Sequence, residues 1–221
     1  MLSRRNILAV TAAAGLAGCI RSPVLVNAFE AFRSEIFGYP DLPINRDQIS
    51  AIPQATMAAR IGRGPEALLI LGRVQGREQH WISGLDRSVL VLREGRVVQT
   101  YGFPENLRGT VDMKDDPVHR LLHKLDRPVE HLRQVDLEGT ERATIMIESV
   151  LVPMGRREIA IREITFDTLL IRETNDARGV SWSFDNYYWV DPGDGFVWKS
   201  EQYIARIFDP VRFEILKPPS I

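Results

Sequence analysis

Tyr187-Tyr188-Trp189-Val190-Asp191-Pro192-Gly193-Asp194-Gly195-Phe196-Val197-Trp198-Lys199-Ser200 reads as a β-hairpin in a single line. Two runs of aromatic and β-branched residues, which suit a pleated and half-buried surface, flank five turn formers. Pro192 fixes φ early in the connection, and the glycines supply positive φ. Outward from this hairpin the same punctuation recurs. Val211 to Leu216 makes a last strand before Lys217-Pro218-Pro219. Upstream, Val129–Leu137, Arg142–Val152, Arg157–Ile161 and Ile164–Arg172 are strands. Ala143, Ile145, Ile147 and Ser149 alternate there with Thr144, Met146 and Glu148, the pattern of a sheet with one wet face.

Further back, Ala67–Leu71, Gln79–Ile82, Ser88–Leu92 and Val97–Tyr101 are separated by Gly76, Gly84 and Glu94-Gly95 at hairpin distances. Leu107 to Pro128 interrupts the series and holds a helical turn or two over Pro117–Leu125. Asp41 to Pro53 is Pro-rich and irregular. Asn27 to Phe37 carries Ala28, Phe29, Phe32 and Ile36 at helical spacing and stops at Gly38-Tyr39-Pro40, which predicts a short amphipathic N-terminal helix. With about ten or eleven strands, the expected fold is all-β with short helices. The expected architecture is a large antiparallel sheet curled into an incomplete β-barrel.

The first residues address the chain. Arg4 and Arg5 precede an apolar stretch, Ile7 to Ala14, too short to span a bilayer. Leu16-Ala17-Gly18 then leads into Cys19, the only cysteine. A diacylglyceryl transferase needs a thiol nucleophile, and the peptidase that follows needs small residues before it, so the segment reads as a lipoprotein signal. The expected organisation is a signal peptide over 1–18, a lipidated N-terminus and tether over 19–27, and one β-rich periplasmic domain over 28–221. Acyl chains such as palmitate on Cys19 would supply the membrane attachment, at about 0.8 kcal/mol per buried methylene. Ile20 stands where an Asp would retain the protein at the inner membrane, which points to the periplasmic face of the outer membrane. Ser3-Arg4-Arg5 fits both the Sec and the Tat routes of export.

The 221 residues are 44% hydrophobic and 26% charged, with a formal net charge of −1. No Lys/Arg run appears, so nucleic acid is not an expected partner. One cysteine, expected to be acylated, leaves none for a disulfide, and the core alone must hold the domain.

Three blocks carry a family resemblance: Ile52-Pro53-Gln54-Ala55-Thr56-Met57 through Leu68, Leu92-Arg93-Glu94-Gly95-Arg96 through Leu107, and Asn186-Tyr187-Tyr188-Trp189-Val190-Asp191-Pro192 with Gly195, Lys199-Ser200, Gln202 and Leu216-Lys217-Pro218. With the lipobox they resemble the YjbF/GfcB lipoproteins associated with group 4 capsule and other exopolysaccharide gene clusters. The resemblance implies an incomplete barrel on an outer-membrane lipoprotein, with an accessory part in making or exporting extracellular polysaccharide. It carries over no catalytic residue. Ala205-Arg206-Ile207-Phe208-Asp209 departs from the pattern, which has a glycine near the last strand.

The chain shows no enzyme motif. His119 and His123 share a helical face, but Arg120 stands where a zincin has Glu, so two solvated imidazoles on a surface helix are expected. Asp112, Asp115 and Asp116 cluster with Lys114 without calcium-loop spacing. Asp185, Asp191 and Asp194 serve turns, and Gly62-Arg63-Gly64 is too short to cradle phosphate. No catalytic residue, metal or cofactor is expected. Aromatic side chains are the remaining lead. Trp81, Tyr188, Trp189 and Trp198 are the speculative glycan- or partner-binding residues, because sugar rings stack on indoles, while burial of the same rings in the core is the competing account. Two further readings stay open: a half-barrel carrier of lipid or lipoprotein acyl chains, and a structural subunit that tethers an export protein.

Overall fold

A computed structural model describes residues 40–84, 87–112, 115–119, 122–138 and 142–219. Cys19 and the expected helix over Asn27–Phe37 lie outside the described residues. The strands are β1 (Thr56–Ile61), β2 (Ala67–Gln75), β3 (Glu78–Ser83), β4 (Val89–Arg93), β5 (Arg96–Tyr101), β6 (Asn106–Asp112), β7 (Val129–Glu138), β8 (Arg142–Ile161), β9 (Ile164–Ala177), β10 (Ser183–Val190), β11 (Val197–Gln202) and β12 (Val211–Lys217). All belong to one antiparallel sheet of order β5-β4-β3-β2-β1-β12-β11-β10-β9-β8-β7-β6. The first and last strands of the chain therefore pair, and the sheet ends fall on β5 and β6, which are consecutive and lie side by side.

The closure between those two edges uses side chains where a ladder would otherwise run. Thr100 Oγ1 accepts from the Leu107 N–H at 2.9 Å, Gln99 Nε2 donates to the Arg108 carbonyl at 2.6 Å, and Thr110 Oγ1 donates to the Val98 carbonyl at 3.3 Å. This seam makes the expected incomplete barrel a nearly closed one. Edge strands left with free backbone groups invite pairing with other chains, and the seam satisfies part of that demand within the molecule.

Alternation decides what enters the bore. Phe184, Asn186, Tyr188 and Val190 of β10 are buried, and their neighbours on the same strand are not. Ile171, Glu173, Asn175 and Ala177 of β9, Ile145, Ile147, Ser149 and Leu151 of β8, and His131, Arg133, Val135 and Leu137 of β7 repeat the pattern. The apolar members form one core with Met57, Leu69, Trp81, Leu90, Phe213 and Ile215 from the other half of the sheet.

Three stretches differ from the sequence expectation. Arg142–Val152 and Arg157–Ile161 are one 20-residue strand, joined through a register shift between Pro153 and Arg156, with Gly155 at φ +86°. The interruption at Leu107 contains β6, whose Arg108, Gly109, Thr110 and Asp112 hide a strand among polar residues; after it come two 3-10 turns, Pro117–His119 and Leu122–Lys124. The irregular stretch before Pro53 holds a short helix, α1 (Arg46–Ala51), closed at its start by a reciprocal Asn45–Gln48 capping box. Ile49 of α1 packs with Ala58, Ile161 and Leu216, and with the partly buried Ile159, Phe166 and Trp198, to make a small second core outside the bore.

Candidate functional site

The bore is not purely apolar. Arg96, at the start of β5, is fully buried and faces two carboxylates. Its Nε and Nη2 donate to both oxygens of Asp116, and its Nη1 and Nη2 donate to Glu173 Oε2 at 3.0 Å and Oε1 at 2.7 Å. Arg133 reaches the same Glu173 Oε1 at 3.0 Å and adds Ser149 Oγ at 2.6 Å and Asn175 Oδ1 at 2.8 Å. The Tyr188 hydroxyl donates to Glu173 Oε2 at 3.0 Å, and Asn186 Nδ2 donates to the same oxygen at 2.8 Å. Gln202 joins the edge of the network, accepting from the Val97 N–H at 3.0 Å and donating to the Gly95 carbonyl at 2.7 Å.

Removing an ion from water costs several kcal/mol even after relaxation, so two arginines and two carboxylates are tolerated here only as a neutral, hydrogen-bonded set. Burial opposes ionisation of Glu173, yet Arg133 and Arg96 outweigh it and hold the carboxyl far below the ordinary carboxylate range. Asp116 is likewise pulled down by Arg96 against its burial. Burial pushes the Tyr188 phenol well up, so it remains a neutral donor. Every strong donor faces an acceptor already in place. Such an arrangement fixes the relative positions of β5, β7, β9 and β10.

The speculative aromatic residues separate. Trp81 and Tyr188 are fully buried in the main core and present no ring face to solvent. Trp189 is half-buried on the outer side of β10, with Lys199 Nζ 5.5 Å from its ring centre and Tyr187 at 6.3 Å. Trp198 packs in the second core against Phe166 at 4.4 Å and Phe196 at 4.7 Å, its Nε1 donating to Asp191 at 3.2 Å. A register shift between Trp189 and Val190 interrupts strict alternation on β11, so that Val197, Ser200 and Gln202 are buried and Trp198 is not.

The histidine expectation is corrected too. His119 is buried in a 3-10 turn, where spacing of four no longer aligns side chains, and its neighbours are Asp112 and Asp116. His123 is half-buried and sits against Gly195, away from that pair. Arg96, Arg133 and Glu173 are the residues that sequence reasoning passed over. Arg133 and Glu173 could have been found as charges at inward positions of alternating strands. Arg96 follows a Glu-Gly turn and gives no such signal.

Between Arg96, Arg133, Asn186 and Gln202 a cavity of about 20 Å³ remains, room for about one water. Larger hollows are one of about 320 Å³ whose lining includes the core residues Leu92, Val118, Val197, Phe213 and Ile215, one of about 210 Å³ beside Ala59, Leu69, Leu90 and Val211, and one of about 480 Å³ along β7–β9 beside Glu130, His131, Ser149 and Arg178.

A family model described as "Group 4 capsule polysaccharide lipoprotein gfcB, YjbF" matches residues 29–216. Two proteins of Escherichia coli K12 are similar in sequence. The uncharacterized lipoprotein GfcB is 26% identical over 205 residues, spanning 92% of this chain and 94% of that protein. The uncharacterized lipoprotein YjbF is 25% identical over 190 residues, spanning 82% and 84%. The crystal structure of the hypothetical lipoprotein YmcC from the same organism superposes with a TM-score of 0.74 at 23% identity, over 86% of this chain and 96% of that one, and shares the fold.

Proposed function

The chain belongs to the YjbF family of group 4 capsule polysaccharide lipoproteins, and from that membership we propose a non-catalytic, accessory role in capsule or exopolysaccharide production or export. In this reading the protein is held by acylated Cys19 at the periplasmic face of the outer membrane and binds glycan or a protein of the export machinery. The match over residues 29–216 carries the reading. The interior supports it by weighing against the acyl-carrier alternative. A carrier needs an apolar hollow as long as its cargo. This bore carries Trp81, Tyr188 and a buried charged network around Arg96 and Glu173, which is not the continuous apolar lining a carrier uses.

Binding in this reading falls to the outer surface, where Trp189, Tyr187 and Lys199 combine a stacking face with a cation. The test is deletion of the gene in the producing strain, complemented with wild type, Cys19→Ala or Trp189→Ala. Surface polymer should fall on deletion, return with wild type, and stay low with Cys19→Ala, which can no longer be acylated. Titration of purified protein with the strain's own polymer, followed by tryptophan fluorescence, then separates glycan from protein partners. A deletion strain with undiminished surface polymer would defeat the proposal.

A further inference from the structure

Next to the Arg96 network, the connection between β6 and β7 brings four metal-ligating side chains together. Asp112 ends β6, Asp116 and His119 lie on the connection, and His131 is the third residue of β7. His131 Nε2 is 3.7 Å from Asp112 Oδ1 and 3.9 Å from Asp116 Oδ1, while His119 Nε2 is 3.5 Å from Asp116 Oδ2 and its Nδ1 is 3.4 Å from Asp112 Oδ2. One ligand atom each from Asp112, Asp116 and His119 lies within 4.8 Å of the other two.

These distances are too long for N–H···O hydrogen bonds, which fall at about 2.7–3.2 Å. Each is within about 0.5 Å of the separation between ligands about 2.0–2.1 Å from zinc, about 3.4 Å. Because the contacts run through both oxygens of each aspartate and both nitrogens of His119, side-chain rotation is needed to turn one donor of each residue onto a single ion. The hydrogen-bond accounting agrees. Both ring nitrogens of His131, whose side chain is 0% exposed, have no hydrogen-bond partner, and the same holds for His119 Nε2 and Asp112 Oδ1. A buried imidazole with neither nitrogen satisfied is costly, and both its Nε2 and the free Asp112 oxygen face this one cluster.

We infer that Asp112, His119 and His131, with Asp116 as fourth donor, bind one divalent transition cation, for which Zn²⁺ is the probe. Two imidazoles and two carboxylates suit such an ion better than calcium, which takes six to eight oxygens. The surroundings orient the ligands as an outer shell does. Arg96 clamps both oxygens of Asp116, Arg93 reaches Asp112 Oδ2 at 3.4 Å and leaves Oδ1 free, and Arg77 holds the His119 carbonyl at 2.7 Å. Bound there, the ion ties β6, the connection and β7 together at one end of the barrel.

The experiment uses the full chain, free of any affinity tag and stripped with chelator, titrated with Zn²⁺ and with Co²⁺, whose visible absorption reports four-coordination. One equivalent is expected to bind. Asp112→Asn and His131→Ala should each weaken Zn²⁺ binding about 100-fold, and His123→Ala should not change it. Zn²⁺ should raise the melting temperature of wild type and leave that of Asp112→Asn where it was. If His131→Ala fails to fold by circular dichroism, His119→Gln takes its place. Uptake that does not saturate at one equivalent, or equal affinity in wild type and folded Asp112→Asn, overturns the inference.

Discussion

Replacing Glu173 by Gln tests whether the charged set in the bore holds the fold. The change keeps the shape and deletes one charge. It also presents an amide to Arg96 and Arg133, where at best one amide oxygen can accept. Arg96 keeps Asp116, so the uncompensated cation falls on Arg133, a buried residue whose pKa burial already lowers. Breaking a buried pair by removing one partner costs about 3–5 kcal/mol. For a domain of this size each kcal/mol moves the midpoint by about 2–4 °C, so a fall of roughly 6–20 °C is expected. Urea and thermal unfolding followed by tryptophan fluorescence measure it. The double variant Glu173→Gln/Arg133→Met restores neutrality and should be more stable than the sum of the two single losses by more than about 1 kcal/mol. A single variant that loses less than about 1 kcal/mol, or a double variant whose loss equals or exceeds that sum, would refute the reasoning.

Acid should weaken wild type in a way that Glu173→Gln does not share. The folded carboxyl titrates far below its unfolded value of about 4.3, so the folded state binds fewer protons there. Its contribution is complete above about pH 5 and is lost as pH falls below about 4; urea midpoints between pH 3 and 6 should slope less steeply in the variant. Gly95 has φ +97°, and a Cβ there would fall 2.4 Å from Val197 Cγ2, whereas Gly76 at φ +59° has nothing within 4 Å. Gly95→Ala should therefore cost more than Gly76→Ala, about 2–3 against about 1 kcal/mol by chemical denaturation. At the seam, Thr100→Val removes the acceptor for the buried Leu107 N–H and should cost about 1–3 kcal/mol. Hydrogen exchange should then show Leu107 losing protection ahead of amides in β9, and equal protection in both would argue against a side-chain seam.

Much of the barrel is legible because local rules and the final structure agree. The Asp191–Gly195 turn joins β10 to β11 as expected, and the alternating Ile145, Ile147 and Ser149 and the glycine-punctuated runs from Ala67 to Tyr101 become strands of the single sheet. β6 escapes notice because its side chains serve the seam and the polar end of the bore, so Thr110 and Asp112 stand where an apolar repeat was sought. The break between Arg157–Ile161 and Val152 is a bulge, in which an inserted glycine bends one strand without ending it. Capping is the signal that reveals α1: Asn45 and Gln48 form a box three residues apart, in a stretch otherwise read for its prolines.

The polar interior resists a local reading for a topological reason. His119 and His123 attract attention because they are near in sequence, but His131 enters the cluster with His119 only because β7 returns beside β6. Arg96 comes near Asp116 because the chain's own sheet edges meet, a contact that no window of a dozen residues contains. One signal was nevertheless present. Arg133, Glu173, Asn175 and Asn186 each occupy an inward position on an alternating strand, and their strands β7, β9 and β10 fall within a run of four adjacent strands of the sheet. A single charge at such a position points to a bulge or a register error. Charges of both signs at inward positions on nearby strands point instead to each other, since burying any of them unpaired would cost several kcal/mol.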